Sequence, residues 1–191
     1  MPLYFAYGSN MDERAMAQRC PRSSAIGPAM LHRHRFVITA DGYASVVRDP
    51  RASVYGLLWD VALADVRALD TYESTGSGLY KKAMQPVKRI AGDGVRPSQQ
   101  ALIYLGRGSG GGTALPGYLE NVLEAGERLA FPQTYMTQLR LLAGGGGRFA
   151  ARQKTVLPVA VNHPPVRAER DAAGQIIVRK RFASPLDRAG N

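Results

Sequence analysis

Apolar and polar stretches alternate along the chain in a way that predicts both strands and helices. Short β-branched and aromatic runs bounded by turn-forming residues are typical of strands, and they occur at residues 3–7, 29–31, 36–39, 44–47, 53–61, 80–90 and 99–105. Helical spacing or helix-forming composition predicts helices at residues 11–19, 62–72, 116–130 and 132–142. Because strands outnumber helices and do not alternate regularly with them, we expect an α+β fold and not a doubly wound sheet.

Two glycine tracts divide the second half of the chain, at residues 106–112 and 144–147. Neither is followed by the Lys-Ser/Thr pair of a phosphate-binding loop, so both are predicted to be flexible connectors. The second tract is a natural boundary. It predicts a domain over residues 1–143 and a C-terminal extension over 144–191, with strands expected at 156–162 and 175–182.

The C-terminal extension carries more than half of the net positive charge. The chain has a net charge of +10, and residues 144–191 contain nine Lys/Arg against three Asp/Glu. Such an excess is typical of proteins that meet nucleic acid or anionic membranes. However, Phe149 and Phe182 are the extension's whole supply of stacking aromatics, and its arginines alternate with acids and prolines. We therefore do not expect nucleic acid as a partner, and expect the extension to add strands or to pack on the domain or a partner subunit.

The remaining composition points to a soluble cytoplasmic protein. No apolar run approaches the ~18–20 residues that span a bilayer, and residues 1–5 lack the basic region and cleavage pattern of a signal peptide. No membrane association is therefore expected. One cysteine, Cys20, excludes an internal disulfide framework, and we expect it to be a half-buried structural thiol.

Conventional nucleophiles and metal ligands are poorly represented. His32, His34 and His163 are not in metal-ligand spacing with carboxylates or with Cys20. His32 and His34 lie two apart on a predicted strand, so both are expected on the same, solvent-facing side. No Gly-x-Ser-x-Gly elbow is present. We predict no metal site.

Two local features carry candidate chemistry. Residues 7–10 (YGSN) lead from a strand into a tight turn at a helix start, where backbone N–H groups and the helix dipole suit a carboxylate or a carbonyl oxygen. On composition alone, an ordinary strand-to-helix turn that needs small residues is the stronger interpretation. Glu73 lies among small residues just after a predicted helix, a place where a glutamate is usually solvated.

Taken together, several sequence blocks are far more specific. They are YFAYGSNM from Tyr4, VYGLLW from Val54, LDTYE ending at Glu73, GLY ending at Tyr80, PGYL from Pro116, and then Gly126, Pro132 and Tyr135. In order and spacing they resemble the AIG2-like γ-glutamylcyclotransferase family, over roughly residues 2–143. The resemblance implies a small mixed β-barrel flanked by helices. It also implies cleavage of a small-molecule γ-glutamyl amide, without cofactor or metal, releasing 5-oxoproline and a free amine or amino acid.

The resemblance also implies roles for individual residues. Glu73 would be the catalytic acid/base, Tyr80 would close the pocket, and Tyr118 would reach the substrate from the helical side. The backbone of the opening block would hold the γ-glutamyl group, through Tyr4, Phe5, Ala6, Tyr7, Gly8, Ser9 and Asn10.

The implied reaction explains the missing nucleophile. The substrate's own α-amine attacks its γ-carbonyl, so the enzyme must supply orientation and proton transfer. One carboxylate can move the protons if its pKa rises from about 4.3 toward neutrality, which burial beside tyrosines would favour.

The departures from the family's commonest form concern the leaving amine. They fall at residues 74–77 and 106–112, and loops near these residues would contact the leaving amine. The alternative function is a catalytically silent γ-glutamyl-binding protein, or a nucleic-acid-binding protein that uses the basic extension. The sequence leaves the oligomeric state open.

Overall fold

Five strands close into one barrel in the computed structural model, which describes residues 2–73, 79–92, 94–108 and 110–144 and the backbone of 169–170 and 176–177. The strands are β1 (Leu3–Ala6), β2 (Ser24–Ile38), β3 (Ala44–Asp60), β4 (Tyr80–Ala91) and β5 (Gly94–Gly106). Their order around the barrel is β1-β3-β2-β4-β5. The ladder that joins β5 to β1 is parallel and the others are antiparallel. The sheet is therefore mixed, as expected.

Four helices and one 3₁₀ turn accompany the barrel. The 3₁₀ turn is Ser9–Met11, and the helices are α1 (Glu13–Arg19), α2 (Leu63–Tyr72), α3 (Tyr118–Arg128) and α4 (Gln133–Gly144). The apolar face predicted for α3 is buried through Leu119 and Val122, and α4 buries Met136 and Leu139 in the same core. The α+β prediction is confirmed, with helix boundaries within a few residues of those expected. Among the helices in the described ranges, none combines the length and apolarity that a membrane crossing requires.

The short strands predicted between residues 29 and 61 are wrong in number, because the structure merges them into two long strands. β2 and β3 form one antiparallel hairpin, whose register shifts at His32/His34 where residues 49–52 of β3 lie outside the ladder with β2. Backbone hydrogen bonds hold a ladder together whatever the polarity of the side chains, so exposed polar stretches do not end these strands. Register shifts at Ala25/Gly27 and at His32/His34 bend β2, as β-bulges do where a sheet must curve.

The second of these bulges corrects the expectation for the histidines. Arg33 has a φ of 59°, and the irregularity breaks the simple alternation of faces between His32 and His34. His32 is exposed, whereas His34 is only 7% exposed and donates from Nδ1 to the His32 carbonyl at 2.8 Å. The prediction that both face solvent is wrong for His34.

The first glycine tract is not the flexible connector that its composition predicts. The Gly112 N–H donates to the Ile38 carbonyl at 3.0 Å. A Cβ on Gly112 would overlap the Thr39 carbonyl, and one on Gly110 would lie 2.8 Å from Val37 Cβ. The described part of the tract thus packs against the end of β2, where larger residues do not fit. The second tract lies outside the described residues beyond Gly144.

The chain divides into two units, Met1–Leu157 and Pro158–Asn191. In the second unit, β6 (Glu169–Arg170) pairs antiparallel with β7 (Ile176–Ile177). The strand predicted at 156–162 lies outside the described residues, as does most of the one predicted at 175–182. The domain boundary at 143/144 stays a prediction.

Closure of the barrel between β1 and β3 requires a glycine at position 56. A Cβ there would overlap the Ala6 carbonyl oxygen and lie 2.7 Å from Phe5 Cζ. We expect Gly56→Ala to lower the free energy of unfolding by about 1–3 kcal/mol, the usual cost of overpacking a core. Urea unfolding measures this loss.

Gly92→Ala is the matched control, since Gly92 is exposed and a Cβ there meets nothing within 4 Å. Equal unfolding midpoints for the two variants would contradict the packing argument.

Candidate active site

β1 runs directly into the Tyr7–Asn10 loop, which the following turn holds in place. The N–H of Met11 donates to Gly8 O at 3.0 Å, and the N–H of Asp12 donates to Ser9 O at 3.1 Å. Arg128 on α3 donates to the Met11 carbonyl at 2.8 Å. The loop is therefore fixed at its C-terminal end by both local and long-range hydrogen bonds.

The helix that follows the loop is capped by the side chain of Asp12. α1 begins only at Glu13, and the Asp12 side chain accepts hydrogen bonds from the backbone N–H groups of Arg14 and Ala15. This is an ordinary N-cap, which satisfies the first-turn donors of the helix. A contribution of the α1 dipole to anion binding at the loop stays a prediction.

Asn10 is the residue that joins the loop to the predicted catalytic carboxylate. Its side chain is 2% exposed. Nδ2 donates to the Tyr4 hydroxyl at 2.9 Å and to Glu73 Oε1 at 2.8 Å, and Oδ1 accepts from the Arg19 guanidinium. Every polar atom of this buried amide has a partner. Two blocks 63 residues apart in sequence are thereby brought into contact.

Glu73 lies at the C-terminus of α2, where its position is set by the backbone. It is the C-cap residue, and its N–H donates to Leu69 O at 2.9 Å. Burial raises the pKa of Glu73 to about 7, although the positive charge of Arg19 and a hydrogen bond from Tyr4 pull it down. The carboxyl group therefore changes protonation state near neutral pH, which suits a general acid/base.

Tyrosine hydroxyls surround the carboxyl group. Tyr7 OH donates to the Tyr104 carbonyl at 2.5 Å, Tyr80 OH donates to Ala44 O at 2.9 Å, and Tyr118 OH accepts from Ala44 N at 3.2 Å. Burial, with a contribution from the negative charge of Glu73, raises the pKa of each of these tyrosines. They are consequently neutral hydrogen-bonding groups over the physiological range.

Gly8 lets Tyr118 approach the loop. A Cβ at Gly8 would lie 2.6 Å from the Tyr118 hydroxyl oxygen. The small residue in the middle of the YGSN block is therefore needed for contact with α3, and not solely for turn formation.

Comparison with known protein families identifies the family of the chain. The model of the family described as "Gamma-glutamyl cyclotransferase, AIG2-like" matches residues 4–121. The chain belongs to this family. No curated protein matches the sequence.

Solved structures with the same fold include a γ-glutamyl cyclotransferase, with a TM-score of 0.66 and 20% identity over 78% of this chain and 94% of its own. The human protein LOC79017 has a TM-score of 0.64 and 21% identity, over 81% and 92% of the two chains. YkqA from Bacillus subtilis has a TM-score of 0.60 and 22% identity, over 74% of this chain and 54% of YkqA. At these identities the structural matches establish the fold alone.

Only some of the predicted site residues contact one another in the structure. Tyr4, Asn10 and Glu73 share hydrogen bonds, and Ser9 Oγ lies 3.2 Å from the Tyr72 hydroxyl. Phe5 and Ala6 are buried in the core, in the ladder with β3. A role for these two residues in substrate binding stays a prediction.

Several residues of the site were not predicted from the sequence. Arg19 contacts Asn10, and Tyr104 packs its ring edge-on against Tyr4 at 5.6 Å while donating to Asp70 Oδ1 at 2.7 Å. Asp70 also forms an ion pair with Lys82 at 2.8 Å. Arg19 had one usable signal, since long side chains on a helix point back toward its N-terminus and hence toward the loop.

The raised pKa of Glu73 makes stability depend on pH. The unfolded carboxyl group has a pKa of about 4.3, and the folded one about 7. Between these values the folded state binds the extra proton, so stability is lost as pH rises through this window. We expect Glu73→Gln to match the wild type below about pH 4.5 and to exceed it by about 3–4 kcal/mol above pH 7, at 1.36 kcal/mol per pKa unit.

Chemical unfolding at pH 4.5 and pH 8 measures the difference. Glu124→Gln removes an exposed carboxylate from α3 and should follow the wild type at both values. A Glu73→Gln advantage that is the same at both pH values would show that ionisation is not its cause.

Proposed function

We propose that this family member cleaves a γ-glutamyl amide by intramolecular attack, releasing 5-oxoproline and a free amine or amino acid. Membership of the family supports a cyclotransferase-type activity. The observation that carries the proposal is the Glu73 carboxyl group, which titrates near neutrality and is hydrogen-bonded by Asn10 beside the YGSN loop.

The proposed reaction needs no enzyme nucleophile. The α-amine and the γ-carbonyl belong to one molecule and close a five-membered lactam. Holding them in a reactive conformation is worth an effective concentration of up to ~10⁵–10⁸ M in well-oriented intramolecular reactions. The main tasks left to the protein are to fold the γ-glutamyl arm and to move protons.

Glu73 is the proposed carrier of those protons. As a carboxylate it takes a proton from the α-ammonium group, whose nitrogen then attacks the γ-carbon. The bond to the leaving nitrogen breaks as Glu73 returns a proton to it. Overall the α-nitrogen gives up two protons and the leaving nitrogen takes up two, so one carboxyl group acting in turn balances the reaction. A pKa of about 7 lets the same group act as base and acid.

The remaining predicted residues are proposed to bind and orient the substrate. Backbone N–H groups of the Tyr7–Asn10 loop would stabilise the oxyanion that develops on the γ-carbonyl. Tyr80 and Tyr118 would enclose the γ-glutamyl arm with neutral hydroxyls. The full proposed binding set is Tyr4, Phe5, Ala6, Tyr7, Gly8, Ser9, Asn10, Tyr80 and Tyr118.

A panel of γ-glutamyl amino acids and γ-glutamyl amines tests the activity, with 5-oxoproline detected by mass spectrometry. We expect at least one of them to be turned over. Glu73→Gln should lower kcat/KM about 10²–10⁴-fold, the usual contribution of a general acid/base, while Glu124→Gln keeps wild-type activity.

Two outcomes contradict the proposal, namely no 5-oxoproline from any substrate or a Glu73→Gln variant as active as the wild type. Calorimetric binding of the same amides without turnover would support the silent binding protein instead.

The pKa of Glu73 also predicts the acid side of the pH–rate profile. The carboxylate form is the base, so kcat/KM should rise with pH and level off above about pH 7. At pH 5 the carboxylate fraction, and with it kcat/KM, should be about 100-fold lower, because each pH unit below the pKa is a factor of ten. Circular dichroism at each pH confirms that the protein is folded. A flat profile from pH 5 to 8 would contradict the assignment.

A further inference from the structure

Arg19 occupies a position that the proposed reaction does not explain. It is the last residue of α1, and its guanidinium donates to Asn10 Oδ1. The guanidinium carbon also lies 3.4 Å from the centroid of the Tyr72 ring. Arg19 therefore contacts both the residue that holds the Glu73 carboxyl group and the residue that precedes Glu73 in the chain.

The contact with Asn10 decides which way the amide points. Oδ1 accepts from the guanidinium, so Nδ2 faces Tyr4 and Glu73 and donates to both. In the flipped orientation the amide N–H groups would face the guanidinium donors, and the amide oxygen would face the carboxyl oxygen. Both contacts would be repulsive, because a guanidinium has no acceptor and an ionised carboxylate has no donor.

The contact with Tyr72 restrains the last residue of α2. A guanidinium stacked on an aromatic face is attracted by the ring's electron density, and the planar Arg fork loses little freedom on making this contact. Tyr72 is further restrained because its hydroxyl lies 3.2 Å from Ser9 Oγ. The end of α2, and hence Glu73, is thereby tied to α1 and to the loop.

We infer that Arg19 is a positioning residue, which orients the proton-carrying carboxyl group of Glu73 through the Asn10 amide and the Tyr72 ring. The expected effect of Arg19 on catalysis rests on the proposed function. Its effect on the position and titration of the Glu73 carboxyl group does not depend on whether the chain turns over a γ-glutamyl amide.

The ionisable groups that face Glu73 come from every element around it. Arg19 is a cation on α1, and the others are tyrosines from β1, the loop after it, β4, β5 and α3, namely Tyr4, Tyr7, Tyr80, Tyr104 and Tyr118. Burial or the charge of Glu73 raises the pKa of these tyrosines, so they stay neutral where Glu73 titrates. Arg19 is consequently the fixed charge that opposes the effect of burial on Glu73.

The test measures the Glu73 titration directly, by NMR of ¹³C-labelled glutamate carboxyl groups with Glu73→Gln used to assign the signal. Arg19→Met keeps an unbranched side chain that resembles the apolar part of arginine, and removes its charge and donors. We expect the pKa of Glu73 to rise by about 1 unit in this variant, the lower end of the usual effect of a nearby opposite charge. Arg14→Gln removes the same charge from an exposed position on α1 and should leave the titration unchanged.

Arg19→Lys separates charge from orientation and guards against a variant that fails to fold. It keeps the cation but loses the planar fork and the stacking. We expect the Glu73 pKa to stay within about 0.5 units of the wild type, because lysine also carries a positive charge at these pH values. The geometry of the contact changes, but the charge does not.

Kinetics supply the second readout. Arg19→Met and Arg19→Lys should each lower kcat at least about tenfold on the best γ-glutamyl substrate, while KM changes less than about threefold, because a misplaced acid/base affects the chemical step and not ground-state binding. An unchanged Glu73 titration in Arg19→Met overturns the inference, and so does an unchanged kcat in both variants. If the wild type turns over no substrate, the proposed function fails, and the titration alone then decides whether Arg19 acts on Glu73.

Discussion

The site depends on one hydrogen bond, from the Asn10 amide to the Glu73 carboxyl group. A carboxyl group removed from water must either find partners or take up a proton. Asn10 and Tyr4 are neutral partners, so they fix the position of the group without the large drop in pKa that a direct ion pair would cause. The result is a group that is well oriented and still able to change protonation state near pH 7.

The barrel positions the two residues that form this hydrogen bond. The Tyr7–Asn10 loop follows β1, and the pairing of β1 with β3 and β5 fixes the start of the loop in the closed sheet. The end of α2 delivers Glu73 from the connection that follows β3. Gly56 and Gly8 allow the close approaches that this arrangement needs, the first between β1 and β3 and the second between the loop and Tyr118. Rigid elements therefore set the geometry, and the polar residues complete it.

Much of the fold follows from local sequence, whereas the site's contacts do not. Apolar spacing predicts α2 and α3 to within a few residues, because burying one face is a local requirement. It fails for β2 and β3, where a ladder continues through polar residues, and for His34, where a bulge at Arg33 reverses the simple alternation. The family resemblance points to Glu73, but Asn10 as its partner is visible only in three dimensions. Arg19 is missed because an arginine ending a helix is common for reasons unrelated to catalysis.

The balance of charges around Glu73 explains why tyrosines line the site. Several cations would hold the carboxylate permanently ionised, and a purely apolar lining would keep it protonated well above neutral pH. Buried tyrosines occupy the space with hydroxyls that donate and accept hydrogen bonds while carrying no charge at physiological pH. Arg19, which contacts the Asn10 amide, then supplies a positive charge that partly offsets the effect of burial. Such an intermediate environment suits a carboxyl group that is proposed to act as both base and acid, and its components come from β1, α1, α2, β4, β5 and α3.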